Sequence, residues 1–380
     1  ESNRVVDVVY FDLAKAFDSV VHSKLLAKCA GYGIRGNMFE FLKGFLTNRR
    51  QRVKLDGVFS EWRFVVSGVP QGSVLGPILF LLYINDLCDL PFISRLVLYA
   101  DDAKLYLSRH RCSDLSPMLQ RDIGIFLAWA IEWQLTVHPN KCSVLCIGGF
   151  SELNVVARYR LDQTEIPFVD RVSDLGVRID TNFSFSDHVS FIVGKAAQRI
   201  GLIFRSFRSR ERSFMVNMFK TYVRPVLEYN TEVWSPRYIT LIDRIEAVQR
   251  QFTRRIADIG QLSYIERLSV CKLEVLELRR LKRDLVLVFK IINGLIDITF
   301  EDFFEFAPYL GTRGHHLKLR VVNVRSDRAL FWFAHRVVNA WNSLPSDVVG
   351  CNTLPAFRTK IDSVSTILHR FLRGRASRDL

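Results

Sequence analysis

No stretch of this sequence is apolar for long enough to cross a bilayer. The longest apolar run, Val74 to Ile84, contains Gly76-Pro77 and stops at Asn85-Asp86, well short of the roughly 20 residues a helical span needs. No membrane partner is therefore expected. Cysteine is scarce and unpaired in pattern: there are 7, none in a CxxC pair, and the closest spacing, Cys142 to Cys146, has no histidine at zinc-finger distance. That excludes a disulfide framework and a zinc knuckle, and it predicts buried reduced thiols in an intracellular protein. Glu1-Ser2-Asn3-Arg4 shows neither an initiating Met nor a basic-then-apolar leader, and a strand-like run begins at Val5, so the chain reads as cut from something longer. Internal repeats and low-complexity tracts are also missing, which argues against a solenoid or a disordered chain.

What is present is ample for well-buried cores. The chain has 380 residues, 49% hydrophobic and 12% aromatic, enough for two or three domains. Its net charge of +14 is uneven: residues 1–184 carry 21 Lys and Arg against 20 Asp and Glu, whereas 185–380 carry 32 against 19. A near-neutral half joined to a basic one suits chemistry in the first and a polyanion grip in the second. Arg-rich helices with solvated faces would give the same count.

Val5 to Leu13 is β-branched and aromatic enough for a central strand, and Asp12 stands at its end. A helix capped by Asp18 or Ser19 is predicted to run to Gly31, and a second from Asn37 to about Leu46. Asp56-Gly57 between two short β-like runs signals a hairpin. The Gly- and Pro-dense loop Ser67 to Pro77 opens an apolar helix from about Ile78 to Asp86. Leu96 to Leu107 then rises to Asp101-Asp102 and leaves again, the pattern of two buried strands with both acids at the turn. Such acids can hold a metal, or can simply cap a solvated turn. A long helix follows, from Asp114 to Gln134, and a strand from Cys142 to Ile147. From Phe185 the pattern is helical, at about 187–207, 213–228, 238–258 and 264–294.

Asp12 ends one strand and Asp101 tips a hairpin, so Asp12, Asp101 and Asp102 could share one edge of an antiparallel sheet. Three hard carboxylates there would suit two Mg²⁺ ions and phosphoryl transfer. Phe11-Asp12-Leu13-Ala14-Lys15-Ala16-Phe17-Asp18 resembles the first catalytic motif of reverse transcriptases. Ser67-Gly68-Val69-Pro70-Gln71-Gly72 with Leu75-Gly76-Pro77 resembles the second, and Tyr99-Ala100-Asp101-Asp102 the third. Leu135 to Lys141 and Leu175 to Asp180 are similar to later motifs of the non-LTR, LINE-type retrotransposon enzymes. The likeness continues through Val248 to Arg255 and Val337 to Pro345.

The resemblance implies an α+β fold: a polymerase palm, an antiparallel sheet with helices packed on it, over 1–184, then a helical thumb over 185–297 and a small C-terminal helical, basic region over 298–380. It implies catalytic roles for Asp12, Asp101, Asp102 and Lys141, the last as general acid toward pyrophosphate. The three acids would be the metal ligands for two Mg²⁺, with Mn²⁺ as substitute, and Leu13 would lend a carbonyl. Phe17 would exclude a ribose 2′-OH, and Gln71 and Gly72 would lie against nucleotide and template. The implied partners are an RNA template with a DNA primer and deoxynucleoside triphosphates, the implied location the nucleus or a cytoplasmic ribonucleoprotein. Arg199, Arg205, Arg208 and Arg254 are candidate phosphate contacts. The fingers region that the family places before its first motif has no counterpart here, so the chain alone is expected to be weakly active or inactive. Two alternatives stay open: a non-catalytic nucleic-acid-binding remnant, and a maturase- or telomerase-like polymerase.

Overall fold

β1 (Arg4–Phe11) packs four valines and two aromatics into eight residues and lies between two antiparallel neighbours. The computed structural model describes residues 4–110, 114–148, 158–308, 314–324 and 327–377. Alongside β1 run β2 (Arg95–Tyr99), β3 (Asp102–His110) and β4 (Ser143–Ile147), in the order β2-β3-β1-β4. Alternation along the strands separates two faces. Val9, Phe11, Ala103 and Leu105 are buried on one, where the Phe126 ring of α4 (Ser116–Glu132) stacks on Phe11 at 4.0 Å. Tyr10, Lys104 and Tyr106 lie on the other, which is only half-covered.

Three further helices build the core behind the sheet: α1 (His22–Gly31), α2 (Gly36–Leu46) and α3 (Leu75–Ile84). Lys28 ties α1 to the end of α3 and of α4: its ammonium sits 2.6 Å from Asp86 and 3.4 Å from the Trp133 ring centre, and burial lowers its pKa, opposed by Asp86. The predicted helix from Asp18 to Gly31 is instead two, Ala16–Ser19 and His22–Gly31, with no side-chain cap at either start. The reason is the Gly-rich loop: Val69 N–H and Gly68 N–H bond the carbonyls of Phe17 and Val20 (2.9 and 2.8 Å), which a continuous helix would need for itself.

The chain divides into two compact units, Glu1–Val172 with Asp180–Asn182 and Ser173–Ile179 with Phe183–Leu380. The second is helical, with α5 (Ser186–Ser206), α6 (Ile239–Arg254), α7 (Tyr264–Cys271) and α8 (Leu276–Ile292) among its members. One apolar core runs through it from Val177 to Ala376, and Phe357 stacks on Phe289 of α8 at 4.3 Å. The single helix predicted over 264–294 is divided, because Lys272 takes a left-handed conformation (φ 51°) that ends α7. The fold is thus mixed helix and antiparallel sheet, as expected. Cys29, Cys142, Cys146, Cys271 and Cys351 are buried, Cys88 is exposed, and Cys112 lies outside the described residues. Among the described residues no helix is long and apolar enough to cross a membrane.

Candidate active site

Asp12 leaves β1 on the half-covered face and is held by its own backbone. Its carbonyl accepts from His138 N–H at 2.9 Å, and Ala14 N–H donates to Thr136 at 2.8 Å, bracketing an isolated Leu13–Val137 bridge. Because those two bonds flank Leu13, its own N–H and C=O are directed to the opposite edge of the strand, the side on which β3 lies. The segment paired with Asp12 continues into the 3₁₀ turn Pro139–Lys141, and this delivers Lys141. Its ammonium stands 3.3 Å from Asp12 Oδ2, an oxygen withdrawn from solvent that accepts no hydrogen bond. Asp12 and Lys141, named from two separate motifs, thus stand side by side.

The other two acids arrive by hairpin. Tyr99 pairs with Asp102, leaving Ala100 and Asp101 as a two-residue turn. Ala100 has φ 51°, a region that costs an L-residue about 1–2 kcal/mol. That strain sits where the turn must present its acid. Phe11 pairs with Ala103, so one further step of the register sets Asp12 opposite Asp102 on the same face. The backbone therefore carries all three acids to one end of adjacent strands. The side chains themselves are not gathered: among the described residues, no three His, Cys, Asp or Glu side chains form a group able to hold a metal ion. The donors are nonetheless of the right kind, hard oxygens, and the shielded Asp12 oxygen is already balanced by a cation.

Phe17 lies on the short helix after Asp12, and Gln71 and Gly72 on the glycine loop bonded to it. The Phe17 ring stacks on Phe80 of α3 at 4.2 Å and is half-buried. Gln71 Nε2 donates to Asp18 Oδ1 at 2.8 Å, which gives Asp18 a role that helix capping had been expected to fill. Ser67 Oγ donates to the Asp18 carbonyl at 2.9 Å, so the loop is stitched to the segment after Asp12. Gly68 (φ 85°) is required by close approach, since a Cβ there would lie 2.8 Å from Asp18 Cα; Gly72 (φ 80°) faces open space. The Asp18–Gln71 bond and the strained Ala100 escaped the sequence reading. Only the strict alternation of Leu96, Leu98, Ala103 and Leu105 could have shown that the turn has two residues and that Ala100 must bend.

Asp12 beside Lys141, the acid-tipped hairpin and the glycine loop all lie within a stretch that matches a known family model. Residues 4–179 match the one described as reverse transcriptase (RNA-dependent DNA polymerase). This segment is a reverse transcriptase domain. The chain is similar to the probable RNA-directed DNA polymerase from transposon BS of Drosophila melanogaster, 27% identical over 264 residues, covering 66% of this chain and 29% of that protein. The RNA-directed DNA polymerase from mobile element jockey of Drosophila funebris is 25% identical over 258 residues, 65% of this chain and 28% of that one. This chain therefore spans less than a third of the length of these curated relatives. Among solved structures, apo telomerase from Candida tropicalis aligns over 73% of this chain and 45% of its own, with 12% identity and a TM-score of 0.38, too loose a likeness to bear on the site. Beyond the reverse transcriptase domain, Arg205, Arg208 and Arg254 are exposed, while Arg199 donates to the Tyr222 carbonyl at 2.6 Å.

Proposed function

We propose that the chain is the polymerase core of a non-LTR, LINE-type retrotransposon enzyme that extends a DNA primer on an RNA template. The observation that carries this is the register ending on the Phe11–Ala103 pair, one residue short of Asp12 and of Asp102, with Asp101 in the adjoining turn and Lys141 on Asp12. In this reading the four-stranded sheet and its helices are the palm, and the helices of the second unit a thumb gripping the duplex through phosphates. Mg²⁺, or Mn²⁺ in its place, would be held by Asp12, Asp101, Asp102 and the Leu13 carbonyl, and would supply charge neutralisation for phosphoryl transfer.

The chain's own residues do the rest. Phe17, backed by Phe80, offers a wall that a ribose 2′-OH would strike and a deoxyribose would not. Gln71, on the exposed edge of the loop, has amide capacity left for a base or sugar beyond its bond to Asp18. Gly72 leaves room for a template backbone to come close. Lys141, once Asp12 is otherwise engaged, can turn its ammonium to the pyrophosphate oxygen and give it a proton as the primer 3′ oxygen, its own proton passing to water, bonds the α-phosphate and the bond to pyrophosphate breaks.

The test is single-turnover primer extension, with protein in excess over an RNA template annealed to a DNA primer. Extension should require a divalent cation and fall at least a hundredfold in Asp101→Ala. Extension insensitive to that substitution would overturn the assignment, and salt-sensitive duplex binding with no extension would favour a non-catalytic binding remnant.

A further inference from the structure

Between α2 and the glycine loop the chain leaves the body of its unit as a two-stranded ribbon. Arg50–Gln51 pairs with Arg63–Phe64 and Lys54–Leu55 with Val58–Phe59, turning at Asp56-Gly57, both at positive φ (48° and 87°). All residues from Arg50 to Phe64 are exposed. An isolated hairpin is marginal in water, and large aromatics on one are normally covered. Here Phe59, Trp62 and Phe64 are 46%, 55% and 63% exposed.

The cations are interleaved with these rings. The Arg50 guanidinium lies 5.0 Å from the Phe64 ring centre, Arg52 lies 3.8 Å from Phe59 and 4.5 Å from Trp62, and the Lys54 ammonium 5.2 Å from Phe59. Arg50 and Phe64 are directly opposed in the register, as are Lys54 and Phe59, so each cation and its ring share one face. The result is a ladder of alternating positive charge and flat apolar surface.

We infer that this face of the ribbon binds an unpaired nucleic-acid strand, bases against the rings and phosphates against Arg50, Arg52 and Lys54. Sequence-tolerant single-strand binding uses this combination of aromatic platforms and a basic track. A duplex keeps its bases stacked on one another and offers no free faces. A bilayer is disfavoured because Asp56 places a carboxylate at the tip that would have to enter first. The inference deepens the polymerase reading, on which it rests for the strand's identity: the occupant would be RNA template not yet paired with product.

Fluorescence anisotropy of the full chain tests it, with an unstructured RNA of about 15 nucleotides, a DNA of the same sequence, an RNA duplex and phosphatidylcholine–phosphatidylserine vesicles as separate probes. The double variant F59A/W62A should bind the single-stranded RNA roughly tenfold or more weakly. Its salt slope should be unchanged, because the cations remain, and so should its melting temperature, because both rings are exposed. Duplex binding should hold. Unchanged RNA affinity in that variant, an equal loss on duplex, or a loss confined to vesicles would each overturn the inference; an equal loss on the single-stranded DNA would support the site while removing RNA as its preferred occupant. A chain that extends primers through Asp101 yet binds RNA normally in F59A/W62A loses the ribbon inference alone. One that never extends but depends on the rings keeps it and loses the polymerase reading.

Discussion

Gly68 and Gly72 are four residues apart, both at positive φ, yet they answer to different constraints. Gly68→Ala would drive a Cβ to within 2.8 Å of Asp18 Cα and of its carbonyl oxygen, backbone that is itself bonded to the loop. We expect a loss of about 3 kcal/mol or more, from left-handed strain and a clash that only backbone movement relieves. Gly72→Ala meets no atom and should lose only about 1 kcal/mol. Urea unfolding of the two variants at unchanged m-value checks the difference. The dense Gly and Pro marked this loop in the sequence, and the strand pattern marked Asp12, Asp101 and Asp102. What could not be read was which glycine is crowded, since that depends on Asp18, fifty residues earlier in the chain, whose helix-cap reading the loop itself overrides.

Within the second unit, Arg178 and α5 meet through His188, which is 1% exposed. Its Nδ1 accepts from Arg178 N–H at 3.2 Å, and its ring stands edge-on to Trp234 at 4.8 Å. Burial, helped by the Arg178 guanidinium and opposed by Asp187, lowers its pKa from 6.5 to about 4. The unfolded chain therefore binds the proton first. Stability contributed by neutral His188 is complete above pH 6.5 and is lost as pH falls toward 4, by on the order of 3 kcal/mol. Melting temperature measured across this window should drop, and His188→Gln, which cannot titrate, should flatten the slope. Periodicity placed α5 to within a residue or two, because its apolar stripe is long. It could not place the break after α7, where a lysine rather than a glycine adopts the left-handed cap, nor foresee a histidine buried without its charge.

The excess of positive charge in the second half was plain from composition, and ion pairs within the fold leave it unchanged but decide which cations remain open. Arg279 pairs with Glu228, Lys282 with Glu274 and Asp362, Arg283 with Glu232, and Arg336 with Asp284. Arg280 is 2% exposed. The cluster at 279–283 is therefore a structural knot, and the charge left for a polyanion is that of exposed residues such as Arg205, Arg208 and Arg254. In the first unit the sheet order and register bring distant acids to one end of the strands, a result that follows from the alternation of apolar residues but is visible only once β1 is seen to pair with β3. The central claim is that Asp12, Asp101 and Asp102 make a divalent-cation site at that end, and Mn²⁺ binding followed by electron paramagnetic resonance tests it without relying on turnover. Wild-type protein should bind Mn²⁺ in competition with Mg²⁺, and Asp101→Asn and Asp12→Asn should each weaken binding at least tenfold with the melting temperature unchanged. Mn²⁺ bound equally well by both folded variants, or not at all by the wild type, would contradict it.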